Sequence, residues 1–71
     1  MKTDKYEVEA VVVDVLPGMK YRVKVKGTDH TLVCYPAGKM RIHFIKLSEG
    51  DNVRIEISKY DLNNGRIIRR L

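Results

Sequence analysis

Gly38-Lys39-Met40-Arg41-Ile42-His43-Phe44-Ile45-Lys46-Leu47 is the stretch that interrupts an otherwise alternating chain. On both sides the sequence reads as short strands separated by turn residues. Here cations and apolar residues are mixed without a period of two, and the stretch begins at a glycine. Two readings are open from the residues alone. One is a short helix that closes the end of a small barrel, with its charges solvated. The other is a loop that offers charge to phosphates and flat or apolar groups to bases. Met40, Phe44, Ile45 and Leu47 have the phase to close a barrel end, while Lys39, Arg41 and Lys46 project past it. His43 and Phe44 fit either role.

Upstream, Tyr6–Leu16 is the first strand candidate. Tyr6, Val8, Ala10 and Val12 alternate with Glu7 and Glu9, and then Val11, Val12 and Val13 run together. That change predicts a long, curved strand covered first on one face and later on both. Leu16-Pro17-Gly18 ends it. Lys20–Lys26 is the clearest strand: Tyr21, Val23 and Val25 face inward, and Lys20, Arg22, Lys24 and Lys26 form an outward face that ordinary solvation explains. Gly27–His30 reads as a hairpin turn into Thr31–Ala37, where Leu32 and Cys34 share one face and Val33 and Tyr35 the other. Pro36 lacks an N–H and must end that strand or lie on an edge.

Downstream, Ser48–Asn52 is a turn and Val53–Ser58 alternates with Val53, Ile55 and Ile57 inward. Tyr60–Gly65 reads as a loop whose Asn63-Asn64-Gly65 end carries hairpin-turn chemistry, because those residues tolerate positive φ. Arg66–Leu71 is the last strand. The fold expected is all-β: a five-stranded antiparallel barrel of OB-fold type, with a short helical or irregular insert between strands 3 and 4. Closure removes the edges that so small a sheet could not protect. An SH3-like barrel is the competing architecture. Residues 6–71 form the single domain, behind a flexible N-terminal tail at residues 1–5.

Composition narrows the function. With 71 residues, only about 60% of the chain's surface can be buried, so the core is one thin layer. The single cysteine, Cys34, excludes an internal disulfide and sits in an apolar run, as a buried thiol in a reducing compartment does. One Cys and two separated His offer no metal cluster. The polar N-terminus is neither a signal peptide nor a membrane span, which places the protein in the cytoplasm or an organelle's stroma. No nucleophile–base–orienter set and no glycine-rich phosphate loop is present, so catalysis and a cofactor are not expected.

The net charge of +5, from 14 Lys and Arg against 9 Asp and Glu, points to a polyanion and to nucleic acid ahead of membrane. Three features carry that reading: the basic insert, the Arg66…Arg69-Arg70 cluster suited to phosphate forks and stacking, and the aromatics Tyr21, Tyr35, Phe44 and Tyr60 as stacking candidates. Each has a plainer explanation. Tyr21 is in phase with Val23 and Val25 and belongs in the core, Tyr60 can pin its loop by packing, and His30 and His43 read as polar surface groups.

Gly38-Lys39-Met40-Arg41, then Ile45, Leu47, Gly50, Asp51 and Val53, then Tyr60-Asp61-Leu62-x-x-Gly65-Arg66-Ile67 resemble bacterial-type translation initiation factor one. Leu16-Pro17 and Tyr21-Arg22-Val23 also match, and the likeness runs without gaps from about Tyr6. The resemblance implies an OB-fold that binds the decoding (A) site of the small ribosomal subunit, touching 16S rRNA and a neighbouring ribosomal protein beside the other initiation factors. It implies a protein that is not an enzyme and uses no cofactor; a monomer without metal or membrane association is expected. The family's RNA contacts fall by position on Lys39, Met40, Arg41, Lys46 and Arg66. Arg69 is added on charge, and His43, Phe44 and Tyr60 complete the expected RNA-binding set.

Departures from the family pattern are Cys34-Tyr35-Pro36-Ala37 for Ala-His-Ile-Ser, Ala10 for a glycine, and Lys59 for a proline. The His replaced at position 35 is a common polar contact of the family. A general single-stranded RNA chaperone on the same fold is the alternative function, and a protein–protein adaptor barrel the third.

Overall fold

Six elements follow one another as β1 (Lys5–Leu16), β2 (Lys20–Val25), β3 (Thr31–Pro36), α1 (Gly38–Ile42), β4 (Asn52–Ser58) and β5 (Asp61–Arg70). They are seen in a computed structural model that describes residues 5–42 and 46–71, the side chain of Lys39 excepted. The strands close into a barrel in the order β1-β2-β3-β5-β4. β1 begins one residue inside the expected tail, Lys5 pairing with Ser58.

The barrel is not wholly antiparallel, as the sequence had suggested. β3 and β5 run parallel, from Val33↔Asn64 to Pro36↔Ile67. The reason is geometric. Five strands in a closed ring cannot all alternate in direction, so one neighbouring pair must be parallel. That seam falls between β3 and β5, where the chain has crossed through α1 and β4.

The inward phases expected of the strands hold except at Tyr6, which is exposed near the start of β1. Val23, Leu32, Cys34, Val53, Ile55 and Ile57 form the core with Ala10, Val12, Tyr21 and Ile67. Met40 from α1 and Leu47 from the end of the insert complete it, so the insert does close the barrel. Cys34 is fully buried, and burial pushes its thiol up to about 12 despite a backbone hydrogen bond at Gly65. A thiol held neutral in this way is an inert packing group.

Two local expectations are corrected. β1 is not covered on both faces in its second half: Val13 and Val15 remain 40% and 47% exposed. A bulge between Val12 and Asp14 shifts the register with β2 there. The β1–β4 ladder has by then ended at Val11↔Asn52. Val12 instead donates its N–H to the Asp51 carbonyl and accepts from the Gly50 N–H.

The second correction concerns Asn63-Asn64-Gly65, which is strand and not turn. The turn lies at Lys59–Tyr60, and β5 already begins at Asp61. The Asp61 carboxylate accepts from the Asn63 N–H at 3.2 Å and from Asn64 Nδ2. This Asx-type bonding uses the turn-forming groups without a reversal.

Candidate nucleic-acid interface

The surface cations divide into those held in ion pairs and those outside them, and the two kinds meet across the β4–β5 ladder, where Arg69 pairs in register with Arg54 and Arg66 with Glu56. Glu7, Glu9, Asp14, Asp29 and Glu56 face the cations of β1, β2 and β4. Arg54 reaches both Glu7 and Glu9, at 3.8 and 3.5 Å. Lys26 also reaches Glu9 (3.6 Å), Arg22 faces Asp14 (3.9 Å), Lys24 faces Asp29 (3.6 Å) and Lys5 faces Glu56 (3.9 Å). Exposed pairs of this kind add little to stability. Their effect is to neutralise those cations locally.

Among the described residues, Arg41, Lys46, Arg66 and Arg69 have no carboxylate within 4 Å. All four are exposed, and they belong to α1, the end of the insert, and β5. Lys20, at the start of β2, is likewise outside the ion pairs.

β5 is the element that sets these cations in line. α1 follows the end of β3, where Pro36 pairs with Ile67, and the Ala37 N–H donates to the Ile67 carbonyl at 2.8 Å. At the other end of the insert, Arg70 Nη1 donates to the Lys46 carbonyl at 3.2 Å. The insert is thus fastened to β5 at both ends, which holds it at the Ile67–Arg70 end of that strand. Arg66 stands further back along the strand, at the middle of the seam.

Not every expected contact is offered to a ligand. Met40 is 3% exposed and packs in the core, so its side chain is a closing group and not a surface one. His43 and Phe44 lie outside the described residues, as does the side chain of Lys39. Tyr60 is 74% exposed, with the Lys59 ammonium 5.4 Å from its ring centroid. It sits at the far end of β5 from α1. At about 3.3 Å per strand residue, the nine steps from Asp61 to Arg70 separate the two ends by about 30 Å. Among the described residues, the expected contacts are therefore spread along β5 and not gathered in a single cluster.

Tyr35 was absent from the expected contact set. It is 45% exposed and is the register neighbour of Arg66 across the parallel seam. The two line a shallow depression of about 160 Å³ with Lys5, Asn64 and the carboxylates of Glu56 and Asp61. Alternation with Leu32 and Cys34 was enough to place Tyr35 outward. The pairing with Arg66 was out of reach, since it depends on which strand covers the edge of β3. A larger depression, about 430 Å³, lies at the β2–β3 turn. Its lysines, Lys24 and Lys26, face Asp29 and Glu9, as Lys5 in the smaller depression faces Glu56. Tyr21 is buried as its phase required.

A family model described as Translation initiation factor 1A / IF-1 matches residues 1–71. Among solved structures, the chain is similar to the bacterial translation initiation factor one from the wolbachia endosymbiont strain TRS of Brugia malayi. The identity is 41% over 96% of this chain and 79% of that one, with a TM-score of 0.77. The barrel is also similar to part of YjeQ from Thermotoga maritima (23% identity, 93% of this chain and 23% of that one, TM-score 0.74). A further likeness is to eukaryotic translation initiation factor 5A from Methanococcus jannaschii (15% identity, 94% and 44%, TM-score 0.67). The last two show the fold alone.

Proposed function

Because the chain belongs to the translation initiation factor 1A / IF-1 family, and so has its role in translation initiation, we propose that it acts by occupying the decoding (A) site of the small ribosomal subunit. The family is one of initiation factors and not of enzymes. In this reading the protein binds 16S rRNA and a neighbouring ribosomal protein, keeps the site closed to initiator tRNA and works beside the other initiation factors. It does so as a monomer, in the cytoplasm or an organelle's stroma.

The observation that supports this most directly is the charge division. Cations already paired with carboxylates release few counterions on binding RNA. Those left open on α1 and β5 can each meet a phosphate. Arg41, Lys46, Arg66 and Arg69 are the phosphate contacts, joined by Lys39 on the family's pattern. Tyr35 and Tyr60 supply stacking faces, Tyr35 in place of the family's histidine. His43 and Phe44 are the remaining contacts in the insert.

Binding to isolated small subunits, titrated with salt and competed with unstructured RNA, tests the proposal. Arg66→Ala with Arg69→Ala should weaken binding at least tenfold with the fold intact, taking charged hydrogen bonds at about 1.5–3 kcal/mol each. Unchanged affinity would remove β5 from the contact surface. Equal competition by any unstructured RNA would favour the chaperone, and salt-independent binding the adaptor.

A further inference from the structure

The parallel seam between β3 and β5 begins at Val33↔Asn64. Ahead of it the backbones no longer pair, and a side chain takes over. His30 Nε2 lies 2.8 Å from the Leu62 carbonyl, a contact spanning 32 positions of sequence. A carbonyl only accepts, so this nitrogen carries the proton and donates. It does so in the neutral Nε2–H tautomer and in the imidazolium alike.

His30 is itself held from two sides. Its N–H donates to Thr28 Oγ1 at 3.1 Å, and its carbonyl accepts from the Val25 N–H at 2.9 Å. The Thr28 hydroxyl in turn donates to the Val25 carbonyl at 3.0 Å. The imidazole therefore projects from a turn that is already fixed.

What it grips needs holding. Asp61 pairs with Ser58, but the β4–β5 register shifts between Ile57 and Ser58. Among the described residues, Leu62 and Asn63 have no register partner on either neighbouring strand. The segment that carries Tyr60 has local bonds of its own: Asp61 to Asn63 and Asn64, and the Tyr60 N–H to Ser58 Oγ at 3.1 Å. The β4 arm of this hairpin is laddered to β1 as far as Lys5↔Ser58. The β5 arm, at Leu62 and Asn63, lacks such a ladder, and the bond from His30 ties it to a different turn of the barrel.

We infer that His30 is a positioning residue for the RNA contact of the β4–β5 hairpin: it ties Leu62 to the β2–β3 turn and so sets where Tyr60 emerges from the barrel. The inference rests on the RNA-binding reading proposed above and adds to it a residue that touches no RNA. A histidine in a polar turn is ordinarily a solvated group, so the sequence offered no sign of this role. The long-range bond is what distinguishes it.

The experiment uses the full chain. His30→Ala removes the donor, and His30→Gln returns an amide nitrogen to nearly the same place. In the free protein, backbone relaxation and amide exchange of residues 60–64 should show His30→Ala loosening the hairpin, with the melting transition nearly unchanged. Affinity for isolated small subunits should fall about 3- to 10-fold, as loss of one hydrogen bond allows, and His30→Gln should recover most of both effects. In the His30→Ala background, Tyr60→Ala should cost less affinity than it does alone, because the two act through one element.

Unchanged hairpin dynamics in His30→Ala would overturn the inference, as would a looser hairpin with undiminished affinity. A loss of affinity without loosening, not recovered by glutamine, would also overturn it and make His30 a direct contact. Failure of the underlying RNA reading looks different: the Arg66→Ala, Arg69→Ala chain would then bind subunits normally, whatever His30 does in the free protein.

Discussion

Gly65 shows how one residue's role was hidden behind its usual meaning. After two asparagines it reads as a turn glycine, yet it lies within β5 and its φ is not positive. The requirement is space: a Cβ there would stand 3.0 Å from Cys34 Sγ, 3.0 Å from Leu32 Cδ1 and 3.1 Å from the Glu56 carbonyl oxygen. One of those neighbours is backbone, so relief by side-chain rotation alone is not open. Gly65→Ala should therefore lower stability by about 1–3 kcal/mol, the cost of overpacking a tight core, measured as a drop in the urea midpoint. An equal or higher midpoint would show that the β3–β5 seam can open to admit a methyl group. The same position supplies the backbone hydrogen bond at the Cys34 sulfur, so the seam is packed on a small residue where most strands carry a large one.

At the scale of elements, α1 is too short to persist alone, since one turn of helix fixes several residues for little hydrogen bonding. Its order rests on Met40, buried at the barrel end, and on the two bonds that fasten the insert to β5. Met40→Ala should cost about 2–5 kcal/mol in stability and weaken subunit binding as well, because Arg41 and Lys46 lose their footing. Ile42→Ala, at the exposed end of the same helix, should stay within about 0.5 kcal/mol of the parent. If the two substitutions had equal effects on a denaturant curve, the helix would not be the barrel's closing element. The insert thus combines both readings that its sequence left open. The apolar side of Met40 and Leu47 closes the barrel, and the cations of Arg41 and Lys46 stand outside it.

For the whole molecule, net charge describes the interface less well than its distribution. Lys5, Arg22, Lys24, Lys26 and Arg54 lie on or beside β1, β2 and β4, where carboxylates balance them locally. Apart from Lys20 on β2, the open cations named above lie on α1, the end of the insert and β5. Plotting the logarithm of subunit affinity against that of salt concentration should separate the two groups. Arg66→Ala should reduce the slope by about 0.7–0.9, one phosphate's worth of counterion release. Arg54→Ala, which frees Glu7 and leaves Glu9 to Lys26 but opens no phosphate contact, should leave the slope near that of the parent. Equal slopes for the two variants would mean that the field of the whole protein, and not a surface of defined residues, drives association.

Strand phase, most turn positions, the interruption at residues 38–47 and the family motifs were all legible in the chain, because alternation and turn chemistry are local properties. Inward Tyr21, Leu32, Cys34 and Ile55 follow from that pattern, and so does outward Tyr35. Only the tertiary structure decided which strands meet. Closure of an odd number of strands forces one parallel seam, and its location between β3 and β5 makes Tyr35 a neighbour of Arg66. It also puts Gly65 against Cys34 and carries His30 to Leu62. The same closure spreads the expected contacts among the described residues along β5. These pairings join residues some thirty positions apart, at distances set by the barrel and not by sequence spacing.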